Sequence, residues 1–230
     1  MPPVSFCRLL LATGLGWCVA TASAADNLGF KAPPGFEVTL FADDDLAHDI
    51  HSMTIDAHGR VVVAGERYIK ILHDTNSDGR ADQATLFADR PRSGAHGLYF
   101  DGDDLLAVGD NAVWRFRDTN GDGVADGEPT LVLDGVRSGG HAANGLVRGP
   151  DGWYYLICGN DADVNARHIT LPGSPVKSNV VCGAVVRCSP DGKSSEVLAH
   201  GFRNPYDLDF HPLGNILTVD ADGERDQGLA

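Results

Sequence analysis

Two stretches of the chain are written almost alike: "HDTNSDGRADQ" from His73 to Gln83 and "RDTNGDGVADG" from Arg117 to Gly127. In the first, Asp74, Asn76, Asp78 and Asp82 stand at positions 1, 3, 5 and 9 of a loop, with Gly79 at 6 and the carbonyl of Arg80 at 7. The second sets Asp118, Asn120, Asp122, Gly123, the carbonyl of Val124, and Asp126 in the same places. Oxygen side chains alternating around a Gly turn suit the many oxygen ligands of Ca2+. Carboxylates folded so close together repel one another, and a divalent cation removes that repulsion. The competing reading is a turn rich in Asp, Asn and Gly that binds nothing. Position 12 holds Thr85 and Pro129 rather than a bidentate Glu, and the flanks "IKIL" and "VWRF" read as strands, so the loops are not EF-hands. Their expected role is structural.

A second set of residues recurs with the same repeat. His51, His96 and His141 each fall just before a strand-like segment, and Arg203-Asn204 of "HGFRNPYDLDF" takes that place the fourth time. Imidazole titrates near neutrality and serves as a general base, and guanidinium holds carboxylates or developing negative charge. The bland readings are a histidine bonded to a loop carbonyl and an Arg-Asn pair that staples adjacent loops. Packing is the expected role of His51 and His96. His48-x-x-His51 lacks a helical frame and further ligands, so no metal site is expected there.

What positions these residues is a repeat larger than the loops. "RSGAHGLYF" begins at Arg92 and "RSGGHAANGL" at Arg137, 45 residues later. Four segments, "SMTIDAHGRVVVAG", "GLYFDGDDLLAVG", "NGLVRGPDGWYYLICG" and "YDLDFHPLGNILTVD", each read as two strands joined by a tight turn. Further strand-like runs follow the first two, "YIKIL" and "AVWRF", then the acidic loops, then "ATLFA" and "TLVLDG". Four strands recurring in this order predict an all-β fold, a β-propeller, with about four blade starts present. The innermost strands begin near the propeller axis, so the residues before them converge on one pocket. The fourth blade lacks its outer strands, and the sequence reads as the front part of a longer propeller.

Arg8, the apolar run "LLLATGLGWCVA" and Ala22-Ser23-Ala24 predict a secretory signal peptide over residues 1–24, with the propeller over 25–230. No other apolar run is long enough to span a bilayer, so no transmembrane segment is expected in the mature chain. Export points to a periplasmic or secreted protein. The formal net charge of −14 argues against nucleic acid and anionic membranes as partners. Removal of the signal takes Cys7 and Cys18 and leaves Cys158, Cys182 and Cys188. Cys182 and Cys188 in an extended "CGAVVRC" lie roughly 20 Å apart, beyond disulfide reach. Pairing of either with Cys158 stays open, and one thiol is left over in any case.

"GFRNPYDLDF", with "HAANGLVRGPDGWYYLICG" before it and "VDADGERDQG" after it, resembles the soluble sugar dehydrogenases that depend on pyrroloquinoline quinone (PQQ). These are the glucose/sorbosone dehydrogenase-like six-bladed propellers, and the sequence looks most like their membrane-bound dehydrogenase branch. The acidic loops in turn resemble the Ca2+-binding hairpin loops of integrin-type propellers. The sugar dehydrogenase resemblance covers about Gly35 to the end. It implies that His141 is the general base and that Arg203 and Asn204 contact the quinone, Arg203 also stabilising charge during reduction. It implies a cofactor Ca2+ near the carbonyls of Gly223 and Glu224, a small sugar-like alcohol or aldehyde as substrate, and an electron acceptor such as a cytochrome. The sequence departs from the family at Asn144-Gly145-Leu146, where the family has "xxGRL", and at Gly159-Asn160-Asp161-Ala162, where it has "GDQG". Two other functions compete: a non-catalytic Ca2+-stabilised propeller that binds carbohydrate or protein, and a lactonase-like hydrolase with Asp207 and Asp220 as axial ligands.

Overall fold

The computed structural model describes residues 28–221. The 1–24 signal assignment and the Gly223 and Glu224 site therefore lie outside the described residues. The chain divides into two units, Met1–Leu40 and Phe41–Ala230. The described part of the first has turns only, one closed by the Phe36 N–H on the Pro33 carbonyl at 3.1 Å.

All strands among the described residues belong to the second unit. The first sheet is β1 (Ser52–Ile55), β2 (Val61–Gly65), β3 (Tyr68–His73) and β4 (Gln83–Ala88). The second is β5 (Gly97–Asp101), β6 (Asp104–Gly109), β7 (Ala112–Arg117) and β8 (Thr130–Asp134). The third is β9 (Ala143–Arg148), β10 (Tyr154–Cys158), β11 (Gly183–Cys188) and β12 (Ser195–Phe202). A two-stranded sheet, β13 (Pro205–Phe210) and β14 (Ile216–Asp220), follows. Every sheet is an antiparallel meander in sequence order. This is a β-propeller with three four-stranded blades and the first two strands of a fourth, as the repeat predicts.

The stacking is dictated by strand periodicity. Side chains alternate between the two faces of a sheet, and a middle strand buried on both faces is apolar throughout. Leu105 and Ala107 of β6 enter the core shared with the first blade, while Leu106 and Val108 enter the core shared with the third. On β10, Tyr154, Leu156 and Cys158 face the second blade, and Tyr155 and Ile157 face the fourth. Val63, Tyr68 and Leu72 of the first blade are covered by Phe41, Ala42 and Ala47. Truncating a wholly buried residue such as Leu106 to Ala would cost about 2–5 kcal/mol.

The connections differ between blades. Asp110 and Asn111, both at positive φ (49° and 59°), make a two-residue turn between β6 and β7. In the third blade the equivalent turn is replaced by residues 159–182, which include a 3-10 helix at Ala166–His168. This segment runs along the outer edge of β12. Thr170 N–H donates to the Ser195 carbonyl at 2.9 Å, and the buried Ser174 hydroxyl donates to the Val197 carbonyl at 3.1 Å. An otherwise open sheet edge is thereby closed.

Cys158, Cys182 and Cys188 are all free thiols, so the open pairing with Cys158 is not realised. Cys158 and Cys188 are buried, and burial pushes both thiols up, Cys188 to about 12. Neither is suited to thiolate chemistry. No helix among the described residues is long and apolar enough to cross a membrane.

Of three well-bonded carboxylates, one joins two blades and two brace the blade they belong to. Asp101 accepts from Tyr154 Oη at 2.5 Å and Arg148 Nη1 at 2.7 Å, joining the second blade to the third. Asp56 takes Arg60 Nε at 2.6 Å, and Asp110 takes the N–H groups of Arg92 and Ser93 at 2.7 and 2.8 Å. Burial raises each carboxyl, but the donors outweigh it and hold all three below the ordinary value of 3.8. Carboxylates with lowered folded values stabilise the fold above the unfolded value and lose that contribution as pH falls through the folded one. Denaturant unfolding followed from pH 7 to pH 3 should therefore show flat stability down to about pH 5 and a fall below it. The fall should be shallower in Asp101→Asn, which has already lost its share.

Candidate functional site

The inner strands β1, β5, β9 and β13 neighbour one another in turn and surround a cavity of about 420 Å3. Its lining includes His51, Thr54, His96, Tyr99, Tyr206 and Asp207. The residues leading into these four strands stand at the same end of their blades, the mouth; of them His51 and His96 line the cavity, whereas His141, Arg203 and Asn204 are not among its lining residues. His51 and His96 stack with ring centroids 4.6 Å apart and planes 13° from parallel. Tyr206 Oη donates to the His51 carbonyl at 3.3 Å, bringing the fourth blade to the first. Gly139 lies against His96, and a methyl group there would stand 3.0 Å from Nε2. Burial, then the neighbouring His51, lowers the His96 pKa and keeps that ring neutral.

His141 and Arg203 are brought together by a third element, the turn after β10. Asn160 Oδ1 lies 3.2 Å from His141 Nδ1, and the Asn160 N–H donates to the Arg203 carbonyl at 2.8 Å. The Asp161 N–H donates to the His141 carbonyl at 2.9 Å. Gly159 sits between the two: a Cβ there would meet the His141 oxygen at 2.3 Å and the Arg203 oxygen at 2.9 Å. Only glycine fits so close an approach of two backbones.

Arg203 and Asn204 are held from the other side by Asp220 at the end of β14, whose two oxygens accept their N–H groups, each at 2.8 Å. Asp110 does the same for Arg92 and Ser93 after β6. The Arg203 guanidinium donates to the Ala221 carbonyl at 3.2 Å and forms no ion pair among the described residues. Three side-chain polar atoms among the described residues are buried without a hydrogen-bond partner: His51 Nδ1 and Asn204 Oδ1 in the lead-ins to the inner strands, and Arg115 Nε on β7, which lies 3.4 Å from Asp104 Oδ2. Buried unpaired polar atoms are rare, and each has a cause such as strain, a catalytic role, or a bound water or ion.

The structure thus joins His141, Arg203 and Asn204 and adds Asn160 and Gly159, which sequence reasoning did not assign to this site, and Asp220, which it named only as an axial ligand in the hydrolase reading. The signal for Asp220 is the repeated Arg-Ser or Arg-Asn pair, matched with an Asp after the second strand of the same blade. Asp207 lines the cavity, but Asp220 is engaged with backbone and is not free as an axial ligand. His48 turns to Asp49 at 3.1 Å while His51 stacks on His96, so the two histidines do not form a common site.

The acidic loops join β3 to β4 and β7 to β8, at the end of the blades opposite the mouth. The two loops share most of their internal bonding, the second adding the Gly121 N–H on Asp118 at 2.8 Å. Asp74 accepts from the N–H groups of Asp78 and Gly79, and Asp118 from those of Asp122 and Gly123. Asp82 and Asp126 take the hydroxyls of Thr75 and Thr119. Asn76 and Asp78, and likewise Asn120 and Asp122, lie side by side at 3.1 Å. Gly79 and Gly123 carry the turn at φ 87° and 82°. Among the described residues no three His, Cys, Asp or Glu side chains converge as a metal cluster.

A family model described as a domain of unknown function, DUF7133, matches residues 23–227. No curated protein matches the sequence. Among solved structures, the holo PQQ domain of pyranose dehydrogenase from Coprinopsis cinerea is 13% identical with a TM-score of 0.52, over 75% of this chain and 43% of that one. The PQQ-bound aldose sugar dehydrogenase of Streptomyces coelicolor is 17% identical with a TM-score of 0.52, over 74% and 55%. The calcium structure of the Trichoderma reesei carbohydrate-active enzyme of family AA12 is 16% identical with a TM-score of 0.56, over 75% and 45%. The chain spans about half the length of these structures. At such identities the likeness establishes the propeller fold.

Gly159→Ala should separate His141 from Arg203, because both carbonyls lie inside the contact distance of the added methyl group. The expected cost is about 1–3 kcal/mol in denaturant unfolding, an overpacking penalty. Gly173→Ala, in open space on the same segment, should be near neutral.

Proposed function

Because the chain belongs to the DUF7133 family and joins a histidine, an arginine and an asparagine at the mouth of its propeller, we propose that it is a PQQ-dependent dehydrogenase-like propeller. Its substrate is a sugar or a related alcohol or aldehyde. The observation that carries this reading is the pairing of His141 with Arg203 through the Asn160 turn, beside the unpaired Asn204 Oδ1 and His51 Nδ1. A guanidinium without a carboxylate partner among the described residues suits a carboxylate of the quinone, and the unpaired polar atoms beside it leave room for further hydrogen bonds.

Arg203 and Asn204 would hold the quinone, whose chemistry when bound is to accept hydride. His141 takes the hydroxyl proton of the substrate at Nε2 as its C–H bond is broken. Arg203 steadies the negative charge that develops beside it, and Asp220 keeps its backbone in place. Cys158 and Cys188, buried between the blades, take no part in this chemistry.

The remaining assignments belong to the same proposal. Residues 1–24 act as an export signal, the protein works in the periplasm or outside the cell, and a cytochrome takes the electrons. The protein falls in the membrane-bound dehydrogenase branch, and further blades complete a six-bladed ring with Gly223 and Glu224 at a cofactor Ca2+. Ca2+ in the two loops has a stabilising role, supported by the identical arrangement of oxygens around Gly79 and Gly123.

The test is PQQ-dependent dye reduction with a panel of aldoses. His141→Gln should lower turnover by about 10²–10⁴, the usual contribution of a general base. Arg203→Gln should weaken quinone binding by about ten- to a hundredfold. Turnover unaffected by His141→Gln would contradict the assignment. Lactone hydrolysis without quinone, lost in Asp207→Asn, would favour the hydrolase reading in its place.

A further inference from the structure

We propose that Asn160 is the positioning residue of the mouth: its side-chain oxygen keeps a proton on His141 Nδ1 and leaves Nε2 bare, while its backbone N–H ties the same turn to Arg203. The inference rests on the reading of His141 as a base. A neutral imidazole carries one proton and has two nitrogens on which to place it, and only the bare nitrogen can accept another. Asn160 Oδ1 accepts but cannot donate, and it lies 3.2 Å from His141 Nδ1. The proton is therefore drawn to Nδ1. Without that partner the two tautomers would compete, and a share of the molecules would present a protonated, unproductive Nε2.

Backbone contacts make the same turn a joint between blades. The Asn160 N–H reaches the Arg203 carbonyl at 2.8 Å, the Asp161 N–H reaches the His141 carbonyl at 2.9 Å, and the Gly159 N–H reaches Ala142 at 2.9 Å. One three-residue segment thus fixes the lead-in to β9 and the lead-in to β13. The side chain of Asn160 sets a tautomer, and its backbone sets a distance. These two roles separate on mutation, because a side-chain substitution leaves the N–H in place.

The partner is an amide, not a carboxylate, and this has a chemical consequence. An amide orients imidazole without adding negative charge, so an imidazolium at His141 gains no ion pair from it. The charged and titratable groups around His141 are Asp161 on the same turn, Arg203 leading the next blade and His96 leading the previous one, beside Gly139. Replacing Asn160 with Asp keeps the shape and adds one negative charge at Nδ1.

The experiment is nitrogen-detected NMR of the His141 ring in the full chain, assigned by its loss in His141→Gln, for wild type, Asn160→Ala and Asn160→Asp. No quinone or substrate is added. The expected results are a Nδ1–H tautomer in wild type, a mixed population in Asn160→Ala, and a titration midpoint about one pH unit higher in Asn160→Asp than in wild type. A thermal melt of each variant confirms folding; Asn160→Asp, being isosteric, covers the case in which Asn160→Ala unfolds. A Nε2–H tautomer in wild type, or a ring unchanged by both substitutions, would overturn the proposal. Dye reduction then separates it from the reading on which it rests. Wild type with the expected tautomer but no turnover on any aldose would sink the oxidation reading while supporting the positioning role.

Discussion

The whole arrangement depends on the burial of each middle strand on both faces. Leu105 and Leu106 are adjacent in sequence, yet they serve different cores because a strand turns successive side chains to opposite sides. A blade with two apolar faces cannot be stable alone, so stacking is obligatory, as in other repeat architectures. Stacking in turn fixes the inner strands side by side. Residues far apart in the sequence, such as His51, His96, His141 and Arg203, are then delivered to a common end without any contact selected for that purpose.

Carboxylates fine-tune what stacking delivers. Asp110 and Asp220 each use both oxygens to take two consecutive backbone N–H groups just before an inner strand. The cost of desolvating the carboxylate is met by charge-assisted hydrogen bonds, and the result is a rigid lead-in. In the third blade the turn of Gly159, Asn160 and Asp161 replaces this device and reaches across to the next blade. Against this background of satisfied backbone, the unpaired His51 Nδ1 and Asn204 Oδ1 stand out. Most other buried polar groups are satisfied, Ser174 on Val197 being one instance, and the third exception, Arg115 Nε, has the Asp104 carboxylate 3.4 Å away.

Much of this was legible in the sequence. The strands after His51, His96 and His141, and the hairpin position of both acidic loops, follow from alternation and turn residues alone. These are local signals, and local signals survive the lack of tertiary information. Residues 159–182 carry no period and no repeat partner, so their course along the edge of β12 could not be read. Asn160 was visible only as a departure from a family pattern. Its link to Arg203 spans 43 residues and exists only once two blades have stacked. The free state of Cys158, Cys182 and Cys188 likewise depends on which faces they occupy, and a spacing rule alone left it open.

The most direct test of the mouth as a cofactor site is a thermal melt of the chain with Ca2+, with chelator, and with Ca2+ plus PQQ, in wild type and Arg203→Gln. A ligand held by the folded mouth at a hundredfold excess over its Kd stabilises by about 2.7 kcal/mol, a rise of about 5–10 °C for a domain of this size. The account predicts such a rise on adding PQQ, beyond any effect of Ca2+, and its loss in Arg203→Gln. A melt that responds to Ca2+ alone, identical with and without PQQ, would contradict it and leave a calcium-stabilised scaffold whose mouth takes some other ligand.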